Sequence, residues 1–120
     1  MKLKIKEVLE GMAVLQKVIN CSLPAKVSYN IMRNLKKVEH ELKPFEESRL
    51  RLVQKYGKPD DDGKVSVTDE NISEFYKEVS SLLDEEVEVD IRQIGIEQLE
   101  GVNLTPNEIQ FIDFIIEKET

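Results

Sequence analysis

The chain has 120 residues, of which 40% are hydrophobic and 34% charged, with a net charge of −7. This length suits one domain with a single modest core. No apolar run reaches the roughly 20 residues that span a bilayer, and the charged start lacks the apolar segment of a secretory signal. A single cysteine excludes an internal disulfide. One cysteine and one histidine are also too few ligands for a Cys/His zinc site. We therefore expect a single domain, 1–120, with no membrane segment, metal or cofactor.

The charge is divided unevenly along the chain. Residues 1–58 carry 13 Lys and Arg against 6 Asp and Glu, whereas residues 59–120 carry 4 against 18. Such asymmetry indicates that the halves attract each other, within one chain or between copies, or that each half faces its own partner. Attraction within one folded domain is the simpler interpretation.

The first predicted element is a short strand, because Leu3 and Ile5 alternate with lysines in a two-residue period. From Glu7 onwards, apolar residues recur every three or four positions. This spacing is typical of one buried helix face and predicts a helix over 7–20.

A much longer helix is predicted over 24–56. Its apolar residues keep nearly the 3.5-residue spacing of a coiled-coil seam. The seam consists of Val27, Ile31, Leu35, Val38, Leu42, Phe45, Leu52 and Tyr56. Pro44 removes a backbone hydrogen bond to the His40 carbonyl, so we expect a kink or a break there. Gly57 predicts the end of the helix, because glycine tolerates the left-handed cap conformation.

The second half of the chain begins with an acidic turn, 60–63, and a short strand over 64–67. Acids stand at the third, fifth and twelfth positions of a calcium-type loop, but position one is Lys58, where calcium needs an oxygen ligand. A solvated turn is therefore favoured over a metal site. A third helix is predicted over 72–85, with Asn71 at its cap.

Residues 86–91 alternate strictly between acidic and apolar side chains, which predicts a strand. Their period matches that of the lysines in residues 2–6. If the two segments pair, opposite charges face each other and the apolar residues share one buried side.

The last predicted helix, 106–117, has the clearest start signal. Thr105, Pro106 and Glu108 supply an N-cap, a first-turn proline and a capping box. The helix is apolar around most of its circumference, so it must dock on the rest of the chain or on a second copy. The residues expected at such an oligomer interface are Phe111, Phe114 and Ile115.

These elements predict an α+β fold that is predominantly helical, with about four helices and a small two- or three-stranded sheet. The long helix would carry a seam of roughly 50 Å, and the shorter helices can cover it only in part. We therefore expect a homo-oligomer rather than a monomer.

One face of the long helix is basic, and it provides the predicted binding residues. They are Lys26, Tyr29, Arg33 and Lys37. Such a stripe could neutralise phosphates while the tyrosine stacks on a base, or it could contact an acidic protein. Because the whole chain is acidic, a protein partner is favoured over a nucleotide or nucleic acid. A plain solvated face is the third interpretation.

No catalytic motif is visible. The sequence contains no Gly-rich phosphate loop, nucleophile elbow or metal-binding His pair, so we expect no enzyme activity. His40 is interpreted as a surface residue and Cys21 as a small core residue.

Several stretches together resemble small acidic proteins encoded in phage and prophage genomes, a family of unknown function. They are Leu23-Pro24-Ala25-Lys26-Val27-Ser28-Tyr29, Glu46-Glu47-Ser48-Arg49, Lys55-Tyr56-Gly57, Glu86-Val87-Glu88-Val89-Asp90-Ile91 and Leu104-Thr105-Pro106-Asn107-Glu108. The resemblance covers almost the whole chain and implies a role in the cytoplasm of a bacterial host. It implies no catalytic residues.

In that setting two functions are reasonable. One is a non-catalytic interaction protein, either an accessory or assembly factor or an inhibitor of a host protein. The alternative is an oligomer that sequesters a nucleotide-type small molecule in a cleft lined by Lys26, Arg33 and Lys37.

Overall fold

The computed structural model of the protein describes residues 1–118, and within them it has four α-helices and two small antiparallel sheets. The helices are α1 (Ile5–Val18), α2 (Ala25–Tyr56), α3 (Ile72–Leu83) and α4 (Pro106–Phe111). The strands are β1 (Lys2–Lys4), β2 (Gly57–Pro59), β3 (Val65–Val67) and β4 (Glu86–Glu88). Short 3-10 helices span Ile96–Leu99 and Asp113–Ile115. The predicted α+β, mostly helical fold class is confirmed.

The first sheet joins the start of the chain to its acidic half. Strands β1 and β4 pair, as their matching charge periods predict, and they run antiparallel. The register places Lys2 opposite Glu88, Leu3 opposite Val87 and Lys4 opposite Glu86. Leu3 and Val89 are buried beneath this sheet. Lys6 belongs to α1 rather than to the strand, because the helix already begins at Ile5.

Helix α2 runs without interruption through Pro44. Pro44 cannot donate a hydrogen bond to the His40 carbonyl. Both residues lie on the exposed side of the helix, where water can hydrate the freed carbonyl. The predicted alternative of a break in the helix at Pro44 is therefore wrong.

Two clusters of buried side chains form the core along the first two thirds of α2. One contains Val14, Leu15, Val18, Val27, Ile31, Leu35, Ile94, Leu99, Ile112 and Ile115. The other contains Leu3, Ile5, Val8, Val38, Leu42, Phe45 and Val89. The seam of α2 is thus covered within one chain as far as Phe45.

The rest of α2, the β2–β3 hairpin and α3 form an extension that we call the distal arm, residues 46–83. The structure describes every residue of the arm, and none of them is buried. Leu52 and Tyr56, the last seam residues, are only half-buried. The molecule is correspondingly elongated, with extents of 49 × 30 × 25 Å.

Gly57 and Asn71, which lie at the hairpin of the arm, have roles other than those that the sequence predicts. Gly57 has an extended backbone (φ −101°), not a left-handed one. A side chain there would come within 2.7 Å of the Val65 methyl group, so close strand approach requires the glycine. Asn71 occupies the N-cap of α3, but its side chain donates to the Tyr56 carbonyl (3.2 Å) and so caps the end of α2.

The C-terminal segment leaves the helical conformation earlier than predicted. α4 ends at Phe111 instead of continuing to 117, because the chain then forms a parallel bridge between Ile94 and Ile116. The predicted capping box is confirmed: Thr105 Oγ1 accepts from the Glu108 N–H, and Glu108 Oε1 accepts from the Thr105 N–H. Among the helices of residues 1–118, none combines the length and hydropathy of a membrane span.

Candidate functional site

The predicted binding residues of α2 lie on one face but do not form a cleft. Lys26, Tyr29 and Lys37 are exposed, whereas Arg33 is half-buried and forms an ion pair with Asp90 (3.2 Å). Lys26 and Arg33 are seven residues apart, which separates them by about 10 Å along the helix. The chain that follows β4 therefore covers part of this basic face.

Arg92 is a second neighbour of the basic face that the sequence did not reveal. Its guanidinium donates to Asn30 Oδ1 (3.2 Å) and lies 5.9 Å from the centre of the Tyr29 ring. A base that stacks on Tyr29 would compete with this cation–π contact. Asp90 therefore occupies Arg33, which was expected to bind a phosphate, and Arg92 occupies Tyr29, which was expected to stack on a base.

A different site is formed where α1 and β1 face α4 and the C-terminal segment. We call it the acidic groove, a pocket of about 750 Å³. It is lined by Met1, Leu3, Glu7, Glu10, Gln93, Gln110, Phe111, Asp113, Phe114 and Lys118. Its lining combines the apolar side chains of Met1, Leu3, Phe111 and Phe114, which we call its floor, with polar and charged side chains.

Three carboxylates surround the groove. Glu7 and Glu10 are three residues apart on α1 and so project from the same side of the helix. Asp113 lines the groove from the C-terminal segment. The single lysine in the lining, Lys118, leaves an excess of negative charge around the opening.

The aromatic floor of the groove contains two of the three predicted interface residues. Phe111 is 37% exposed and Phe114 is half-buried. Ile115, the third, is fully buried in the core of the single chain. Its side chain packs in the cluster that contains Ile112, Val27 and Ile31, so within this chain it offers no surface to a second copy.

Gly11 sets the distance between α1 and the floor of the groove. It is buried, and a Cβ atom at this position would collide with the Phe114 ring and come within 3.0 Å of the Phe111 carbonyl. The absent side chain lets both phenylalanines approach α1. The shape of the groove therefore depends on Gly11. The sequence alone does not show this, because it does not place α4 beside α1.

An ion pair holds α4 against α1. Lys17 Nζ lies 3.0 Å from Glu108 Oε2, and the same carboxylate accepts from the Thr105 backbone. The hydrogen bond from the Thr105 N–H and the nearby Lys17 ammonium hold the pKa of Glu108 below its ordinary value. Ionised Glu108 thus stabilises the docking of the helix that forms one wall of the groove.

The acidic turn of the distal arm closes the β2–β3 hairpin. Asp60 Oδ1 accepts from the backbone N–H groups of Asp62 and Lys64, both at 2.9 Å. Gly63 supplies the positive φ (82°) that this turn requires. Within residues 1–118, no group of three His, Cys, Asp or Glu side chains is placed to hold a metal ion.

Comparison with known proteins finds no family model, curated protein or solved structure that matches the chain. The acidic groove and the basic face are the two features of the described residues that bear on function.

Sequence reasoning found the two phenylalanines and missed the groove. Glu7 and Glu10 look like ordinary surface residues of a helix, and Gly11 on the apolar side has no evident role, until α4 is placed beside them. The signal in the sequence was a buried-side glycine in α1 next to two carboxylates. The contact between Gly11 and Phe114 in the folded chain is needed to identify these residues as part of a groove.

Proposed function

We propose that the protein is a non-catalytic interaction protein that binds a basic, partly apolar segment of another protein in the acidic groove. The observation that carries this proposal is the combination of Phe111 and Phe114 on the floor with three carboxylates around them. Neither feature alone would be selective, but together they match one class of ligand.

Lysine and arginine side chains are suited to such a groove. Their aliphatic stems pack on apolar surface while their charged ends reach carboxylates. A cation near a phenylalanine ring gains a further 0.5–1 kcal/mol, roughly, at an exposed site. Gln93 and Gln110 add amide groups that can bond to the backbone of a bound segment.

The net charge of the chain also favours a basic partner. At −7, the chain attracts basic surfaces over a distance and accelerates their encounter. In the phage or prophage setting, the partner would be a host or phage protein in the bacterial cytoplasm. An accessory factor and an inhibitor of a host protein would both use the groove in this way.

The sequestration of a nucleotide requires a cleft lined by the basic residues of α2. Lys26, Arg33 and Lys37 line neither the acidic groove nor any of three further surface pockets among residues 1–118. Arg33 is also neutralised by Asp90. This alternative therefore has less support, and the same experiment tests it.

The test is affinity capture from bacterial lysate, with mass spectrometry of captured proteins and small molecules. The wild-type chain is compared with a groove variant, Glu7→Lys with Phe111→Ser, and with a basic-face variant, Lys37→Glu. We expect a protein partner that is lost with the groove variant and kept with the basic-face variant. Capture of a nucleotide that is lost only with Lys37→Glu would overturn the proposal.

A further inference from the structure

The distal arm lacks a buried core of its own. The apolar face of α3 comprises Ile72, Phe75, Tyr76, Val79, Leu82 and Leu83, and none of these side chains is buried. Tyr76 is 60% exposed. Only Leu82 and Leu83, at the end of the helix, reach the core cluster around Phe45. The five residues other than Tyr76 are half-buried, so one chain covers this apolar face only in part, and the remaining surface can contact a partner.

A shallow groove of about 290 Å³ runs between α2 and α3 in the arm. Leu52 and Leu82 contribute apolar surface to it, and Ser48 and Ser81 are small enough to let another chain approach. Arg51 and Glu78 also line the groove, so it carries one positive and one negative group. We call this site the arm groove.

We propose that the arm groove is the contact between two copies of this chain, related by a two-fold axis. In such an interface, residue i of one copy meets residue j of the other, and j meets i. A patch with one cation and one anion beside apolar surface is complementary to itself under that operation. Arg51 of each copy would then face Glu78 of the other.

The charges within one chain leave this pairing available. Arg51 is exposed and forms no ion pair with any residue of the described chain 1–118. Lys55 Nζ lies 3.6 Å from Glu78 Oε2, and this oxygen is itself buried. The Glu78 side chain as a whole is 41% exposed, so a second cation would contact its exposed part and leave Lys55 in place.

A second copy at the arm leaves the acidic groove open. The acidic groove lies between α1 and α4, whereas the arm groove lies between the distal half of α2 and α3. The dimer would therefore present two acidic grooves. This inference does not rest on the proposed function, and each can fail without the other.

The test exploits charge reversal. Arg51→Glu places two like charges at each of the two contacts, and so does Glu78→Arg. We expect each variant alone to raise the dimer dissociation constant at least about tenfold in sedimentation equilibrium. An equimolar mixture of the two variants pairs opposite charges at both contacts and should associate as the wild-type chain does. The matched control is Lys64→Glu, a charge reversal at the hairpin tip, which should leave association unchanged.

The double variant Arg51→Glu with Glu78→Arg guards against misfolding, because it restores complementary charges in a single sequence. It should dimerise, with the circular dichroism spectrum of the wild-type chain. Three results would overturn the inference. They are a wild-type mass of 13.9 kDa at millimolar concentration, association that neither single variant weakens, and weakening that the mixture and the double variant both fail to repair.

Discussion

The buried carboxamide of Asn34 holds the backbone of Arg92 at two points. Asn34 Nδ2 donates to the Arg92 carbonyl (2.8 Å), and the Arg92 N–H donates to Asn34 Oδ1 (2.9 Å). Asn34 is fully buried and is the one buried polar residue in the described part of the chain. This pair fastens the segment after β4 to the middle of α2, and thereby places Asp90 beside Arg33.

The first prediction concerns this fastening. Asn34→Leu keeps the volume but leaves the Arg92 N–H and carbonyl without their partners, at about 1–3 kcal/mol for each buried group. We expect the free energy of unfolding to fall by about 2–4 kcal/mol in a urea titration. The control, Asn30→Ala, removes only a hydrogen bond to the Arg92 side chain and should cost less than about 1 kcal/mol. Equal losses in both variants would contradict the role of Asn34.

A second prediction concerns Gly11. Alanine is favoured over glycine inside a helix by about 1 kcal/mol. At Gly11, however, the added methyl group meets the Phe114 ring and the Phe111 carbonyl. Overpacking of this kind costs about 1–3 kcal/mol, so we expect Gly11→Ala to be destabilising overall. Gln16→Ala, on the exposed side of α1, is the matched control and should not destabilise the chain. A stabilised Gly11→Ala variant in thermal unfolding would show that α4 does not approach α1 so closely.

The two phenylalanines of the groove should respond differently to a charge. Phe111 is exposed enough that Phe111→Asp should fold, with a loss below about 1 kcal/mol. Phe114 contacts Gly11 and both core clusters, so Phe114→Asp should cost about 3 kcal/mol or more. Thermal unfolding followed by circular dichroism separates the two. If both variants unfold, the floor of the groove is core rather than binding surface.

The pH dependence of stability should report on Glu108. Its folded-state pKa lies below the ordinary value of 4.5, because the Thr105 N–H and Lys17 favour the ionised form. This stabilisation is present above the unfolded-state pKa and is lost as the pH falls through the folded-state pKa. Glu108→Gln preserves hydrogen bonding at the cap and removes the charge. The stability difference between the two chains should therefore be largest near pH 7 and shrink below about pH 4.5. A difference that stays constant down to pH 2.5 would contradict the assignment.

Local patterns predicted most of the fold, because each was reinforced by tertiary contacts. The charge alternation of β1 and β4 predicted their pairing, whereas their antiparallel direction is known only from the structure. The capping box at Thr105 located the start of α4. The end of α4 could not be predicted, because it depends on the bridge between Ile116 and Ile94, two residues that are distant in sequence.

The candidate site was less predictable, because its parts come from opposite ends of the chain. The stripe on α2 looked like the stronger signal, and the structure covers it with Asp90 and Arg92. Phe111 and Phe114 were identified from their apolar character alone. Their position opposite Glu7 and Glu10 depends on the close approach at Gly11, which no local pattern specifies.

Site-specific photo-crosslinking in bacterial cells tests the central claim most directly. A photoreactive residue replaces Gln110 in the lining of the acidic groove, and in a second variant it replaces Lys37 on the basic face. Mass spectrometry then identifies the crosslinked peptides. We predict that position 110 crosslinks to a segment of another protein in which Lys or Arg alternate with apolar residues, and that position 37 does not. Crosslinking to a partner from position 37 with none from position 110 would contradict the account.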